Sequence, residues 1–106
     1  MNQKYYVILC TVPDEATAAA ISRALVTEKL AACCNVIPGL RSIYRWKGEI
    51  CDDREYLLMI KSHTDVYGRL EQRIQSLHPY EIPEILALPV NEGFLKYLTW
   101  VDENVE

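Results

Sequence analysis

Cys10 and His78 are the two residues in this sequence whose types could combine into a metal-binding or nucleophilic centre. A thiolate and an imidazole together suit a soft or borderline ion such as copper or zinc. Two donors are too few for a closed site, so a third must join them: Glu84, Glu81, or a group from another subunit. The plainer alternative makes Cys10 a core thiol and His78 a hydrogen-bonded residue at a rim. As nucleophile and base the same pair would need an oxyanion hole and an orienting group. No glycine-rich elbow supplies them, and the expectation is a protein that is not an enzyme. His63, at the end of a strand, reads as a cap or a solvent-exposed residue.

His78 sits in the stretch Leu77-His78-Pro79-Tyr80-Glu81-Ile82-Pro83-Glu84, where two prolines stand four positions apart. Each fixes φ and removes an amide donor. Each also biases the preceding residue towards extended backbone. The stretch is therefore a stiff connector that places His78, Tyr80, Glu81 and Glu84.

Whether Cys10 can meet His78, 68 positions later, depends on the elements around them. Lys4 to Val12 is β-rich and almost continuously apolar, the profile of a central strand covered on both faces. Pro13, Asp14 and Glu15 suit a helix's first turn. That helix is expected to run to about Leu30, with Ala18, Ile21 and Leu25 as its buried stripe. Cys33 to Trp46 and Glu49 to Ser62 read as two long strands, the first kinked near Pro38-Gly39. They are joined by the tight turn Trp46-Lys47-Gly48-Glu49, with glycine where φ can be positive. Thr64 is expected to cap a second helix, with Val66, Leu70, Ile74 and Leu77 inward and Arg69, Glu71, Gln72, Arg73 and Gln75 on a solvated face. The connector leads to a strand from Ile85 to Val90. Phe94 to Asn104 reads as a terminal helix, with Phe94, Leu95, Leu98 and Val101 on one side.

The order β-α-β-β-α-β, with an extra C-terminal helix, predicts one ferredoxin-like α+β domain over residues 1–106, an antiparallel sheet with both main helices on one face. In that topology the first strand lies between the third and the fourth, so Cys10 and the residues just after His78 share a rim. The second and third strands are much longer than the ~5–6 residues usual for a strand. Their hairpin should project past the domain body. Its tip carries Ile43, Tyr44, Trp46 and Ile50, and such a tip with exposed strand edges invites pairing with another chain. Tyr44, Trp46 and Trp100 are the expected contacts in an oligomer. Glu55 and Lys61, six residues apart on one strand, point to one face. With Tyr80 and Glu84 they are candidates to line a ligand cleft between subunits; a structural ion pair or plain solvation is the alternative.

Composition narrows the choices. The chain has 106 residues, half of them hydrophobic and a quarter charged, with a net charge of −4. This is ordinary globular composition. It argues against nucleic-acid binding, which rests on basic side chains at phosphates. The run Tyr5 to Cys10 is too short to span a bilayer. Cys10, Cys33, Cys34 and Cys51 show no Cys-x-x-Cys spacing. With no secretory signal they read as reduced cysteines of a cytoplasmic protein.

Several motifs then converge. They are Cys10-Thr11-Val12-Pro13-Asp14, Lys29-Leu30-Ala31-Ala32-Cys33-Cys34-Asn35-Val36, and Ile43-Tyr44-Arg45-Trp46-Lys47-Gly48-Glu49-Ile50. Glu55, Met59-Ile60-Lys61, His78-Pro79-Tyr80-Glu81-Ile82-Pro83-Glu84-Ile85 and Tyr97-Leu98 with Trp100-Val101 follow in order. Together they resemble the CutA divalent-cation tolerance family, over nearly the whole chain. The resemblance implies a tight homotrimer of ferredoxin-like subunits, similar in architecture to the PII signalling proteins, and a role in tolerance of copper and other divalent cations. It also implies copper ligation by the cysteine at Cys10 and by two consecutive histidines before Pro-Tyr. Only the second histidine is here, as His78; the first position is Leu77, which cannot ligate. Glu84 is close enough in sequence to substitute.

Overall fold

A computed structural model describes residues 4–106. The elements are β1 (Tyr5–Val12), α1 (Glu15–Thr27), β2 (Cys33–Trp46), β3 (Glu49–His63), a 3-10 turn (Thr64–Val66), α2 (Tyr67–Leu77), β4 (Ile85–Pro89) and α3 (Leu95–Asn104). The strands form one sheet in the order β2-β3-β1-β4. Every neighbouring pair is antiparallel. This is the expected ferredoxin-like arrangement, with Cys10 of β1 directly opposite Ile85 of β4.

Alternation builds the core. Ile8, Cys10 and Val12 of β1 and Leu58 and Ile60 of β3 are fully buried, together with Ala18, Ile21 and Leu25 of α1 and Leu70 and Ile74 of α2. Fully burying each larger aliphatic side chain contributes about 1.5–3 kcal/mol. The opposite sheet face has less cover: α3 packs against β3, but Leu86 and Leu88 of β4 are exposed. The expectation that β1 would be covered on both faces therefore holds on the helical side alone; Val7 and Leu9 are only half-buried.

Three helix boundaries differ from those expected. The carboxylate of Asp14 accepts the Thr17 amide hydrogen at 2.8 Å, making Asp14 the cap and leaving Pro13 outside the helix. That bond holds the Asp14 carboxyl below its ordinary range. The helix stops at Thr27, before Leu30, because Lys29 turns left-handed at φ 59°. Leu30 N–H then reaches back to the Leu25 carbonyl at 2.9 Å, and Lys29 N–H to Val26 at 3.2 Å, a Schellman closure. Thr64 opens the 3-10 turn, and α2 has no side-chain cap.

Three of the residues assigned to a solvated face of α2 make bonds; one is Arg69, whose terminal nitrogen donates to the Glu106 carboxylate at 3.1 Å. Arg73 grips the Glu28 carboxylate with Nε at 3.0 Å and a terminal nitrogen at 2.9 Å, and Glu71 accepts from the Tyr67 hydroxyl at 2.8 Å. On the terminal helix, Val101 is buried but Phe94 and Leu95 are 73% and 75% exposed, away from the core.

The β2–β3 hairpin projects as expected. β1 pairs with β3 only from Tyr56 to His63, while β2 pairs with it down to Glu49. The register shifts between Ile37 and Leu40, at the expected kink, where Gly39 has φ 82°. At the tip Lys47 (φ 51°) and Gly48 (φ 82°) are both left-handed, the pattern of a two-residue turn whose twist matches its strands. Ile43 and Ile50 are 64% and 63% exposed near that tip.

Candidate functional site

The connector and β1 meet through one carbonyl. His78 ends α2 in extended backbone, as the following proline requires, and its ring turns inward until only 8% of the residue is exposed. Its Nε2 lies 2.8 Å from the carbonyl oxygen of Thr11. A carbonyl only accepts, so Nε2 carries the hydrogen and donates. Nδ1 in turn accepts the Tyr80 amide hydrogen at 3.2 Å. These two bonds assign the neutral Nε2–H tautomer and occupy both ring nitrogens. The Tyr80 ring packs beside the imidazole, with centroids 4.7 Å apart.

Cys10 is fully buried. Its thiol donates weakly to the same Thr11 carbonyl, at 3.8 Å. Burial pushes the thiol up to about 12, and the nearby carboxylates of Glu84 and Glu55 push the same way. The sulfur is therefore a neutral thiol at physiological pH, and thiolate character is what metal ligation needs.

Beyond the end of β1 the projecting hairpin and the connector enclose a groove of about 740 Å³. Thr11 and Glu55 line it where β1 gives out, Tyr80, Glu81 and Glu84 line it from the connector, and Ser42, Tyr44 and Trp46 from the hairpin. The Tyr80 hydroxyl donates to Glu55 Oε2 at 2.7 Å and ties the connector to β3. Burial first, and then the Glu55 carboxylate, raise the Tyr80 phenol. Tyr44 donates to the Asp53 carboxylate, which raises its phenol as well. Lys47 at the turn faces Glu81 at 3.7 Å, bridging the hairpin tip and the connector.

Glu55, Tyr80 and Glu84 are thus brought together, with Tyr44 and Trp46 beside them. Lys61 does not join them. It shares a sheet face with Glu55, but six residues at ~3.3 Å each separate them by about 20 Å, and its ammonium is bound to Asn35. Trp100 lies on α3, its ring stacked near Tyr97 at 5.7 Å. His63 stands at the cap position of the 3-10 turn without a side-chain capping bond; it is buried, not exposed, and its Nδ1 has no partner among the described residues. Sequence reasoning missed the Thr11 carbonyl, a backbone group that no side-chain pattern announces. It also missed the Lys47–Glu81 bridge, which needs the turn geometry to be known first.

The description "CutA1 divalent ion tolerance protein" matches residues 6–104. The divalent-cation tolerance protein CutA of Thermus thermophilus is 53% identical over 98 residues, covering 92% of this chain and 95% of that one. The chain belongs to the CutA1 family. A solved CutA1 structure from the same organism superposes with a TM-score of 0.94 at 51% identity, over 96% of this chain and 99% of that one. Human protein CutA is 47% identical over 96 residues, which are 91% of this chain but only 54% of the human protein's length. The Archaeoglobus fulgidus structure named as a periplasmic divalent cation tolerance protein CutA superposes at 0.93 with 31% identity, over 96% of this chain and 99% of that one.

The copper site that the family resemblance implies does not fit the residues present. The His78 nitrogens are both committed to backbone, and Cys10 is fully buried. Leu77 is partly buried against the core and offers no donor. Among the described residues, no three His, Cys, Asp or Glu side chains come together as a metal-holding group.

Proposed function

We propose that this CutA1-family chain acts in divalent-cation tolerance, copper included, as a cytoplasmic homotrimer that is not an enzyme and holds no ion tightly. One observation carries the assembly. The apolar surface of the less covered sheet face, the hairpin and the start of α3 lies in water in a single chain, at Ile43, Ile50, Leu86, Leu88, Phe94 and Leu95. Covering such side chains stabilises an assembly by about 25 cal/mol for each Å² of apolar area removed from water. Tyr44, Trp46 and Trp100 are the aromatic anchors proposed within that contact. The number three comes from the family resemblance. Four free cysteines suit a reducing compartment. Sedimentation at low concentration should give three times the 12.2 kDa chain mass; a clean monomer sinks the proposal.

Copper contact through Cys10, His78 and Glu84 is proposed to be weak, because reaching His78 breaks two hydrogen bonds and strands a buried carbonyl. Titration calorimetry of copper into wild type and His78→Ala tests this. Equal binding by both removes His78 from any site.

A second reading is favoured by the groove between connector and hairpin: a PII-like regulatory trimer that takes a small molecule in clefts between subunits, with Glu55, Tyr80 and Glu84 in its wall. Its volume is in the range of small-molecule sites. Ordered organic ligand in those clefts would support it, and clefts that take up only metal would count against it.

A further inference from the structure

We propose that the groove between the connector and the hairpin binds a compact organic ammonium ion, held by Glu55 and Glu84 beneath the rings of Trp46, Tyr44 and Tyr80. The inference rests on the small-molecule reading of the groove and names the ligand's chemical class.

Three features of the lining select that class. First, Glu55 is a carboxylate with only 6% of the residue exposed. One oxygen accepts from Tyr80, and the other makes no hydrogen bond among the described residues. That second oxygen is nevertheless not sealed from solvent, which leaves it open to the groove that Glu55 lines. A buried carboxylate with an unused oxygen calls for a cationic donor. Second, the lining includes Glu81 and Glu84 but no Lys or Arg. The cation nearest the tip, Lys47, is already turned towards Glu81 at the rim. An anionic ligand would meet three carboxylates and no cation within the lining.

Third, three aromatic residues share the wall with these carboxylates. Ring faces attract cations, and an alkylated ammonium gains apolar contact as well. A bare divalent ion gains nothing from the rings. It needs three or more converging donors, and no such group exists among the described residues. The groove, at about 740 Å³, is also far larger than an ion requires.

The test is titration calorimetry of the full chain with choline chloride, with its uncharged analogue 3,3-dimethylbutan-1-ol, and with ADP as an anion. Choline should bind saturably and the uncharged analogue should not. Glu55→Gln should weaken choline by about tenfold or more, as expected for losing a charged hydrogen-bond partner. Trp46→Leu should weaken it about threefold. Glu84→Gln, at an exposed position, takes the place of Glu55→Gln if that variant loses its wild-type circular dichroism. Equal binding of choline and its uncharged analogue overturns the inference, as does choline binding indifferent to the variants. Binding of ADP alone overturns the ammonium class but leaves a small-molecule groove standing. Silence from all three probes removes both.

Discussion

The imidazole Nε2 of His78 is bonded at 2.8 Å to the backbone carbonyl of Thr11, across 67 positions of sequence. This bond, with the Tyr80 amide on the other ring nitrogen, makes His78 the rivet between the connector and the end of β1. His78→Ala should therefore lower unfolding stability by about 2–4 kcal/mol, from two lost bonds and a stranded buried carbonyl. Urea unfolding monitored by circular dichroism measures it. A loss under about 0.5 kcal/mol, typical of surface substitutions, would show that the rivet is not structural.

The exposed isoleucines near the hairpin tip set up a second test. Ile43→Lys and Ile50→Lys place charge where apolar surface is uncovered. Each variant should sediment at a lower mass than wild type while keeping its circular dichroism. Unchanged sedimentation of the double variant would move the contact off the hairpin.

The cysteines should divide by reactivity. Burial pushes both Cys10 and Cys34 up to about 12, but Cys10 alone is fully buried, while Cys33, Cys34 and Cys51 are partly exposed. A disulfide reagent at pH 8 should label Cys33 and Cys51 first, Cys34 more slowly, and leave Cys10 unmodified until the protein is unfolded. The sign for stability follows. The folded state holds the Cys10 and Cys34 protons more tightly than the unfolded state, whose thiols titrate near ~8.5. Their contribution is complete below that value and falls away as pH rises from there towards 12. Flat stability between pH 8 and 11 would contradict it.

Asp102 contributes to the acid limb. Burial works to raise its carboxyl, but the Tyr5 hydroxyl and the Lys4 ammonium outweigh burial and hold it below the ordinary range. Its stabilisation is present above the unfolded value of ~3.9 and is lost as pH falls through the lower folded one. Asp102→Asn should lower stability at pH 7 and converge with wild type below about pH 3. Parallel curves at all pH values would dissociate the carboxylate from the acid limb.

The fold was legible because periodicity and turn chemistry agree along most of the chain. Ala18, Ile21 and Leu25 are the buried residues of α1 read from helical spacing alone, and the turn at Lys47-Gly48 was marked by its glycine. The misplaced boundaries have local causes. Lys29 in a left-handed conformation is rare for a residue with a side chain, and nothing in its identity announces it. The candidate site was half legible. Topology predicted that Cys10 and the start of β4 would share a rim, and they do. What no pattern could show is that His78 faces a backbone oxygen. Its ring is spent on the fold, and the concave surface beside it is furnished by Glu55 and Tyr80.

The bonds from Tyr5 and Lys4 to Asp102 tie the first and last elements together at the His63 end of the sheet. From there to the Lys47-Gly48 turn, β3 runs its whole length, about 45 Å at ~3.3 Å per residue. An affinity tag, a fluorophore or a fused protein attached beyond either of those elements thus departs from the pole opposite the groove. The same closeness makes the chain a candidate for rewiring: a short linker can join α3 to β1, and a new break opened at the hairpin turn would then part the two strands of one wall of the groove while leaving the core intact.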